Sequence, residues 1–340
     1  MNLALCLILT ALSSQAIAGE KPSLRIYTYD SFASEWGPGP TIKKEFEKEC
    51  ACEVKFISVA DGYALLARLK LEKSSPKADL IVGLDETLTT AALETGLFTP
   101  SEVTIENLNI PKPLKTSPIF VPYDYGSYAF MFDTQAKNSK GQLFTRPTSM
   151  AELLTDPNLR KSIIIQDPRS SAPGFALLLW LRSLYQDRTA EKYLELKKQV
   201  LTVSPGWSES YKLFTSGEAP IVFSYTTSEA YHREEEKTDR YQTIIFKEGH
   251  YAVVEYSALL KSSKHHALGQ KFLKFLTSTS TQATIASKNW MYPIRALPTG
   301  LPKSYSQIPV PGHVLRISPS EILKQRGSWI HEWQTIFSKN

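Results

Sequence analysis

Between residues 24 and 96 the chain alternates two hydrophobic periods. Runs at 24–29, 53–59 and 78–84 are short, rich in Ile, Val, Leu and Tyr, and each gives way to polar or turn residues. Between and after them, 41–49, 63–72 and 86–96 repeat apolar positions at helical spacing. A period near two predicts strands and a period near 3.6 predicts helices. The segment therefore reads βαβαβ, which implies a parallel sheet with right-handed crossovers. In such sheets ligands are held just beyond the carboxyl ends of the strands. That edge would carry Tyr29, Asp30, Trp36, Asp61, Gly62 and Asp85.

The pattern breaks at 120–126, F-V-P-Y-D-Y-G, which lies between two β-type runs. Pro122 has no N–H to give a ladder, so an uninterrupted central strand is not expected there, and the stretch reads as a first crossing between lobes. A second α/β pattern follows: helix 149–155, strand 162–166 and an almost wholly apolar helix 175–185. Ser171 and the free amides ahead of that helix are placed either to donate to an anionic ligand group or simply to cap the helix. After the turn Ser204-Pro205-Gly206, a helix opens on Trp207, carries Tyr211 and Phe214 three apart, and stops at Gly217. An apolar strand, 219–223, then ends in S-Y-T-T-S at 224–228. Trp207, Tyr225 and Tyr231 would offer π surfaces to a cleft; packing in the core or at the rim is the alternative for each.

Strands at 241–246 and 250–260 come next, the second returning the chain to the first lobe. Helix 265–277, a loop N-W-M-Y-P at 289–293 with exposed-looking aromatics, and a long helix 319–339 complete the pattern. The charged run H-R-E-E-E-K at 232–237 reads as a solvated helix face. The expected fold is α/β with two lobes. Residues 19–121 with about 250–285 form the first, and 122–249 with about 286–340 form the second.

Residues 1–18 carry no charged side chain, are apolar from 3 to 12, and end in Ala16-Ile17-Ala18. This is a secretory signal peptide, too short to span a bilayer, and it predicts a soluble exported product. The net charge of +5 is mild for this length and no Lys/Arg block exists, so nucleic-acid binding has no footprint. Cys50 and Cys52 are the only cysteines after the leader. In an oxidising compartment such a pair can close a small disulfide ring, and as a metal half-site it lacks a matching Cys/His pair. The histidines at 232, 250, 265, 266, 313 and 331 form no zinc motif, and Gly206 to Ser210 lacks the closing glycine of a nucleophile elbow. No catalytic constellation or cofactor loop stands out, so binding is expected rather than catalysis.

An exported two-lobed α/β chain with aromatics and carboxylates at its strand ends resembles the solute-binding proteins of ABC importers. The motifs Y-T-Y-D-S-F at 27–32, W-G-P-G-P at 36–40, F-V-P-Y-D-Y-G at 120–126, Q-D-P-R at 166–169, G-W-S-E at 206–209, S-Y-T-T-S at 224–228 and N-W-M-Y-P at 289–293 sharpen this. Together they closely resemble the periplasmic thiamine-binding proteins of Gram-negative bacteria, and the similarity, Cys50-x-Cys52 included, extends from the leader to the last helix.

That resemblance implies a type II periplasmic-binding-protein fold, two α/β lobes hinged around a ligand cleft. It also implies thiamine, thiamine monophosphate or thiamine diphosphate as ligand, and a membrane permease of an ABC transporter as partner. By matching positions it places ligand contacts at Asp61, Gly62, Ser171, Ala172, Trp207, Tyr225, Thr226, Thr227 and Ser228. Tyr29, Trp36, Tyr231 and Trp290 are further aromatic candidates. Ala172 stands where the family often has Thr, which leaves its backbone N–H as the donor. Three other readings were weighed: a polyamine binder using Asp30, Asp61 and Asp85, a ferric-ion binder, for which Tyr225 and Tyr231 lie too far apart, and a secreted hydrolase.

Overall fold

The computed structural model describes residues 21–73, 75–104, 108–110 and 117–338; the leader at 1–18 lies outside them. The first half follows the expected order: β1 (Ser23–Tyr29), a short α1 (Asp30–Ala33), α2 (Gly39–Cys50), β2 (Glu53–Val59), α3 (Gly62–Glu72) and β3 (Leu80–Asp85). The helix expected at 86–96 is shorter, a 3-10 turn leading into α4 (Thr89–Leu93), and β4 (Phe98–Thr99) follows. β1 lies between β2 and β3, parallel to both. The apolar residues of β3 are all buried, as a strand covered on both faces requires.

β5 (Val121–Asp133) corrects the reading of Pro122. The strand runs unbroken through the proline, which it accommodates at an irregularity: Tyr256 faces Pro122 while Glu255 already faces Asp124. Its first half pairs antiparallel with β10, and its second half is flanked by β8 and β9. A single strand thus belongs to both halves of the sheet.

The second half contains α5 (Met150–Thr155), β6 (Ile163–Gln166), α6 (Ala172–Tyr185), α7 (Thr189–Gln199), β7 (Val200–Ser204) and α8 (Trp207–Thr215). Of these, α7 and β7 were not foreseen. β8 (Ile221–Tyr225) begins two residues later than its apolar run. Then come α9 (Ser228–Glu234), β9 (Tyr241–Ile244), β10 (His250–Leu260), α10 (His266–Leu276), α11 (Thr279–Thr284), β11 (Tyr292–Pro293), β12 (Val314–Leu315) and α12 (Pro319–Ser338). The main sheet order is β2-β1-β3-β10-β5-β8-β6-β7, with β6 parallel to its neighbours β7 and β8.

Helix α6 is buried from Ala172 to Leu181. Its Trp180 is fully buried and donates its ring N–H to the Gly249 carbonyl at 3.0 Å. Each large apolar side chain removed from water here contributes about 1.5–3 kcal/mol. Helix α12 reaches both halves from behind: the Arg326 guanidinium lies 4.4 Å over the Tyr63 ring of α3 and 5.2 Å over the Phe175 ring of α6.

Cys50 and Cys52 are joined in a disulfide around Ala51, whose φ of 51° lies in the left-handed region. The ring sits where α2 ends and β2 begins, at the end of the sheet opposite the strand termini Tyr29, Val59 and Asp85. Replacing both cysteines by serine is expected to lower the melting temperature. Affinity for a ligand at those termini should stay within about tenfold, or 1.4 kcal/mol, by titration calorimetry.

Candidate functional site

A cavity of about 450 Å³ opens at the carboxyl ends of the central strands. Tyr29 and Trp36 wall it from the β1 side, Asp61 and Gly62 from the head of α3, and Asp85 from the end of β3. Ala172 at the head of α6, Trp207 of α8, Tyr225, Thr227 and Ser228 of the β8–α9 turn, Tyr231 and Trp290 complete the part the sequence pointed to. Glu255, Tyr211, Lys212, Glu236, Asn289 and Met291 also line it. The sequence places none of these six at the ligand edge.

Ser171 and Thr226 stand behind the wall rather than in it. Ser171 is fully buried and its hydroxyl accepts from the Gly174 N–H as the N-cap of α6. Thr226 donates its N–H to the Ser127 carbonyl at 2.9 Å, and its own carbonyl accepts from the Thr243 hydroxyl. The amide expected to be free ahead of α6 is engaged as well: Ala172 N–H donates to Asp61 Oδ2 at 3.1 Å. Asp61 also caps α3 by accepting from Tyr63 N–H at 2.9 Å. Asp30 is exposed and does not line the cavity.

The aromatic walls are braced by one another. Trp207 stacks on Tyr211 at 4.8 Å and donates its ring N–H to Ser224 Oγ, which is in turn 2.8 Å from Ser228 Oγ. Tyr225 stacks on the buried Tyr128 at 4.9 Å, and Tyr231 meets Trp290 edge to face at 5.8 Å. Trp290 is not the exposed loop residue its sequence suggested; only 8% exposed, it packs on Tyr305 and ends a π-helical turn, Ile285–Asn289, at a φ of 54°. Left-handed backbone at a bulky residue is uncommon, and the surrounding packing must hold it.

The charged run at 232–237 is corrected at its first residue; Glu235, Glu236 and Lys237 are exposed, as expected of a solvated face. His232 is fully buried; its Nε2 lies 2.7 Å from Tyr211 Oη and its Nδ1 2.7 Å from a Glu236 carboxylate oxygen. Burial lowers the His232 pKa, against the opposing pull of Glu236. His232 alone of the run braces the Trp207–Tyr211 stack from behind.

The floor of the cavity holds the feature that no sequence pattern announced. Strand register sets Glu255 of β10 opposite Asp85 of β3 on one side and opposite Asp124 of β5 on the other. Three carboxylates on adjacent strands stand abreast, and among the described residues none of them, nor Asp61, has a Lys or Arg partner within ion-pairing distance. Tyr29 and Tyr123 donate their hydroxyls to Glu255 Oε2 at 2.9 and 2.7 Å. Asn289 Nδ2 donates to Asp124 Oδ2 at 2.7 Å. Burial pushes Asp61 and Asp85 up to about 6 each. Burial, and then the Glu255 charge, hold Asp124 well above the carboxylate range. The result is a carboxylate-rich pocket with flat aromatic walls, the chemistry of a site for an organic cation.

Known proteins with this sequence pattern agree. The family profile described as bacterial extracellular solute-binding protein matches residues 75–309. The thiamine-binding periplasmic protein of Brucella abortus biovar 1 is 46% identical over 322 residues, covering 95% of this chain and 94% of that one. Its namesake from Escherichia coli K12 is 45% identical, with 94% of each covered. A solved periplasmic thiamin binding protein superposes with a TM-score of 0.88 at 44% identity, covering 94% of this chain and 97% of that one. The ferric binding protein of Campylobacter jejuni, at 18% identity and a TM-score of 0.74 over 92% of this chain and 99% of its own, shares the fold alone.

The Asp85 carboxylate should cost the ligand-free protein stability. Its folded pKa is raised to about 6, so the native state binds more protons than the unfolded chain below that pH, and stability falls as pH rises through about 6. Asp85→Asn keeps the oxygen that accepts from Thr87 N–H while removing the charge. It should raise the melting temperature by several degrees at pH 8, corresponding to at most about 3 kcal/mol, and the gain should shrink toward pH 5. Affinity for an organic cation should fall in the same variant. Paired melting curves at the two pH values check the first statement and calorimetry the second.

Proposed function

Because the chain belongs to the bacterial extracellular solute-binding proteins, in the group of periplasmic thiamine-binding proteins, we propose that it captures thiamine in the periplasm for an ABC importer. It is a transport component rather than an enzyme. The observation that carries the reading is the pairing, in one cavity, of aromatic faces with buried carboxylates that have no Lys or Arg ion-pair partner among the described residues. Thiamine is a flat aminopyrimidine joined to a permanently cationic thiazolium. The thiazolium has no N–H, so it is best met by ring faces and by the field of nearby carboxylates, each desolvated cation–π contact contributing up to about 2 kcal/mol. Trp207, Tyr225, Tyr231 and Trp290 offer such faces. A polyamine would use the carboxylates but has no ring for these walls to stack on.

The monophosphate and diphosphate fit the same reading. Backbone amides at the heads of α3 and α6 favour anions, and Thr227 and Ser228 add hydroxyls. Such a ligand would share the Ala172 amide with Asp61 or displace it. Delivery to a membrane permease completes the proposal. The lobes are taken as residues 19–121 with about 250–285 and 122–249 with about 286–340, closing about the crossings made by β5 and β10.

Protein purified without added vitamin and dialysed should bind one thiamine per chain, with a Kd on the order of a micromolar or tighter, as two cation–π contacts of about 2 kcal/mol each plus ring burial require. Spermidine should bind far more weakly by the same calorimetry. Small-angle scattering should show a smaller radius of gyration with thiamine than without, and an unchanged radius would count against closure. Absence of thiamine binding would remove the functional reading itself.

A further inference from the structure

We propose that Glu255 is the residue that selects the ligand's heterocycle by its polar edge, accepting the exocyclic amino group of the pyrimidine, with Asp124 as the neutral partner behind it and Tyr123 as a positioning residue. The inference rests on the reading that the ligand is thiamine, and deepens it.

The argument begins with direction. Glu255 lines the cavity, and its Oε2 accepts from two phenols that arrive from different strands, Tyr29 of β1 and Tyr123 of β5. A carboxylate fixed by two donors on one oxygen is held in orientation and has its other oxygen left to accept. A diffuse counter-charge for a ring cation needs no such fixing, because the thiazolium offers no hydrogen to receive. An amino group does, and a buried acceptor matched to it rejects an analogue that cannot donate.

Asp124 supplies the second half of the argument. Its Oδ2 takes the Asn289 amide, but its Oδ1 is buried and meets no donor. The neighbouring carboxyl is Glu255, which strand register sets directly opposite Asp124. One proton held on Asp124 and donated to a lone pair of Glu255 satisfies Asp124 and leaves a single negative charge on the carboxylate at the cavity, with a lone pair of Oε1 still open to the ligand. The groups facing the pair agree with that distribution. Burial first, and Asp85 on β3 after it, raise the Glu255 pKa, against the Tyr123 and Tyr29 hydroxyls and Asp124, which lower it, while Asp124 is held well above the carboxylate range; Tyr128 and Tyr225 remain neutral phenols, their pKa values raised by burial first.

Placement supports the same end of the molecule. The anion-favouring heads of α3 and α6 and the Thr227–Ser228 hydroxyls would take the ligand's hydroxyethyl or phosphate tail, and the aromatic walls the thiazolium. The Glu255 end, beside Asn289 and Tyr29, is left for the pyrimidine.

The test compares thiamine with its analogue carrying an oxo group in place of the pyrimidine amino group, the thiazolium unchanged. Calorimetry is run on the wild type and on Glu255→Gln, with a melting curve for each. The wild type should prefer thiamine by about a hundredfold or more, since the oxo oxygen would face a carboxylate. In Glu255→Gln the side-chain amide can turn its NH₂ toward the oxo group, and the preference should fall below about tenfold. Equal losses for both ligands, leaving the ratio intact, would mean that Glu255 acts as a general counter-charge and would overturn the proposal, as would a wild type with no preference. Failure of the wild type to bind either ligand would instead sink the thiamine reading. Should Glu255→Gln not fold, Tyr123→Phe removes one orienting hydroxyl and keeps the ring; its ratio should drop about threefold or more, and an unchanged ratio would overturn the assignment.

Discussion

Three carboxylates abreast on β3, β10 and β5, with no Lys or Arg among the described residues within ion-pairing distance, are the constraint that the rest of this molecule accommodates. Like charges directly opposite each other on neighbouring strands repel, and burial removes the water that would screen them. The fold tolerates the row by dressing it: Tyr29 and Tyr123 on Glu255, Asn289 on Asp124, and Thr87 N–H and the Tyr128 hydroxyl on Asp85. What remains is a deficit of positive charge at one place, which under the proposed function a cationic ligand would supply. Binding strength and strain in the free protein therefore have a common origin, a trade often seen where function requires a destabilised site.

Rigid surroundings make that possible. Helix α6 is buried along most of its length, β5 belongs to both halves of the sheet, and α12 lies across the back with Arg326 between Tyr63 and Phe175. The aromatic wall is similarly held from behind, His232 bracing Tyr211 and Tyr211 bracing Trp207. Side chains in contact with the ligand thus have little freedom to lose when it arrives, which lowers the entropic cost of binding.

Much of this was legible in the sequence because the signals are local. Strand–helix alternation fixed the first sheet to within a residue or two at most boundaries, and residues just past strand ends, such as Asp61, Gly62 and Tyr29, fell at the cavity by a general property of parallel sheets. Pro122 misled because a proline at a strand irregularity removes no needed hydrogen bond. His232 and Trp290 misled because burial depends on what packs against an element. A charged run with a single histidine looks solvated until Tyr211 is found against it. Glu255 was invisible for a deeper reason. It sits in the middle of a long apolar strand, and its meaning comes from register with Asp85 and Asp124, 170 and 131 residues away.

The central claim is that the aromatic walls, in the field of the buried carboxylates around them, hold the ligand through its positive ring. The most direct measurement is the affinity of the wild-type protein for thiamine against an isosteric analogue whose thiazolium is replaced by a neutral ring, determined by calorimetry at neutral pH and fixed salt. The account predicts that the neutral analogue binds at least about a hundredfold more weakly, some 2.7 kcal/mol. Equal affinity for the two would contradict it.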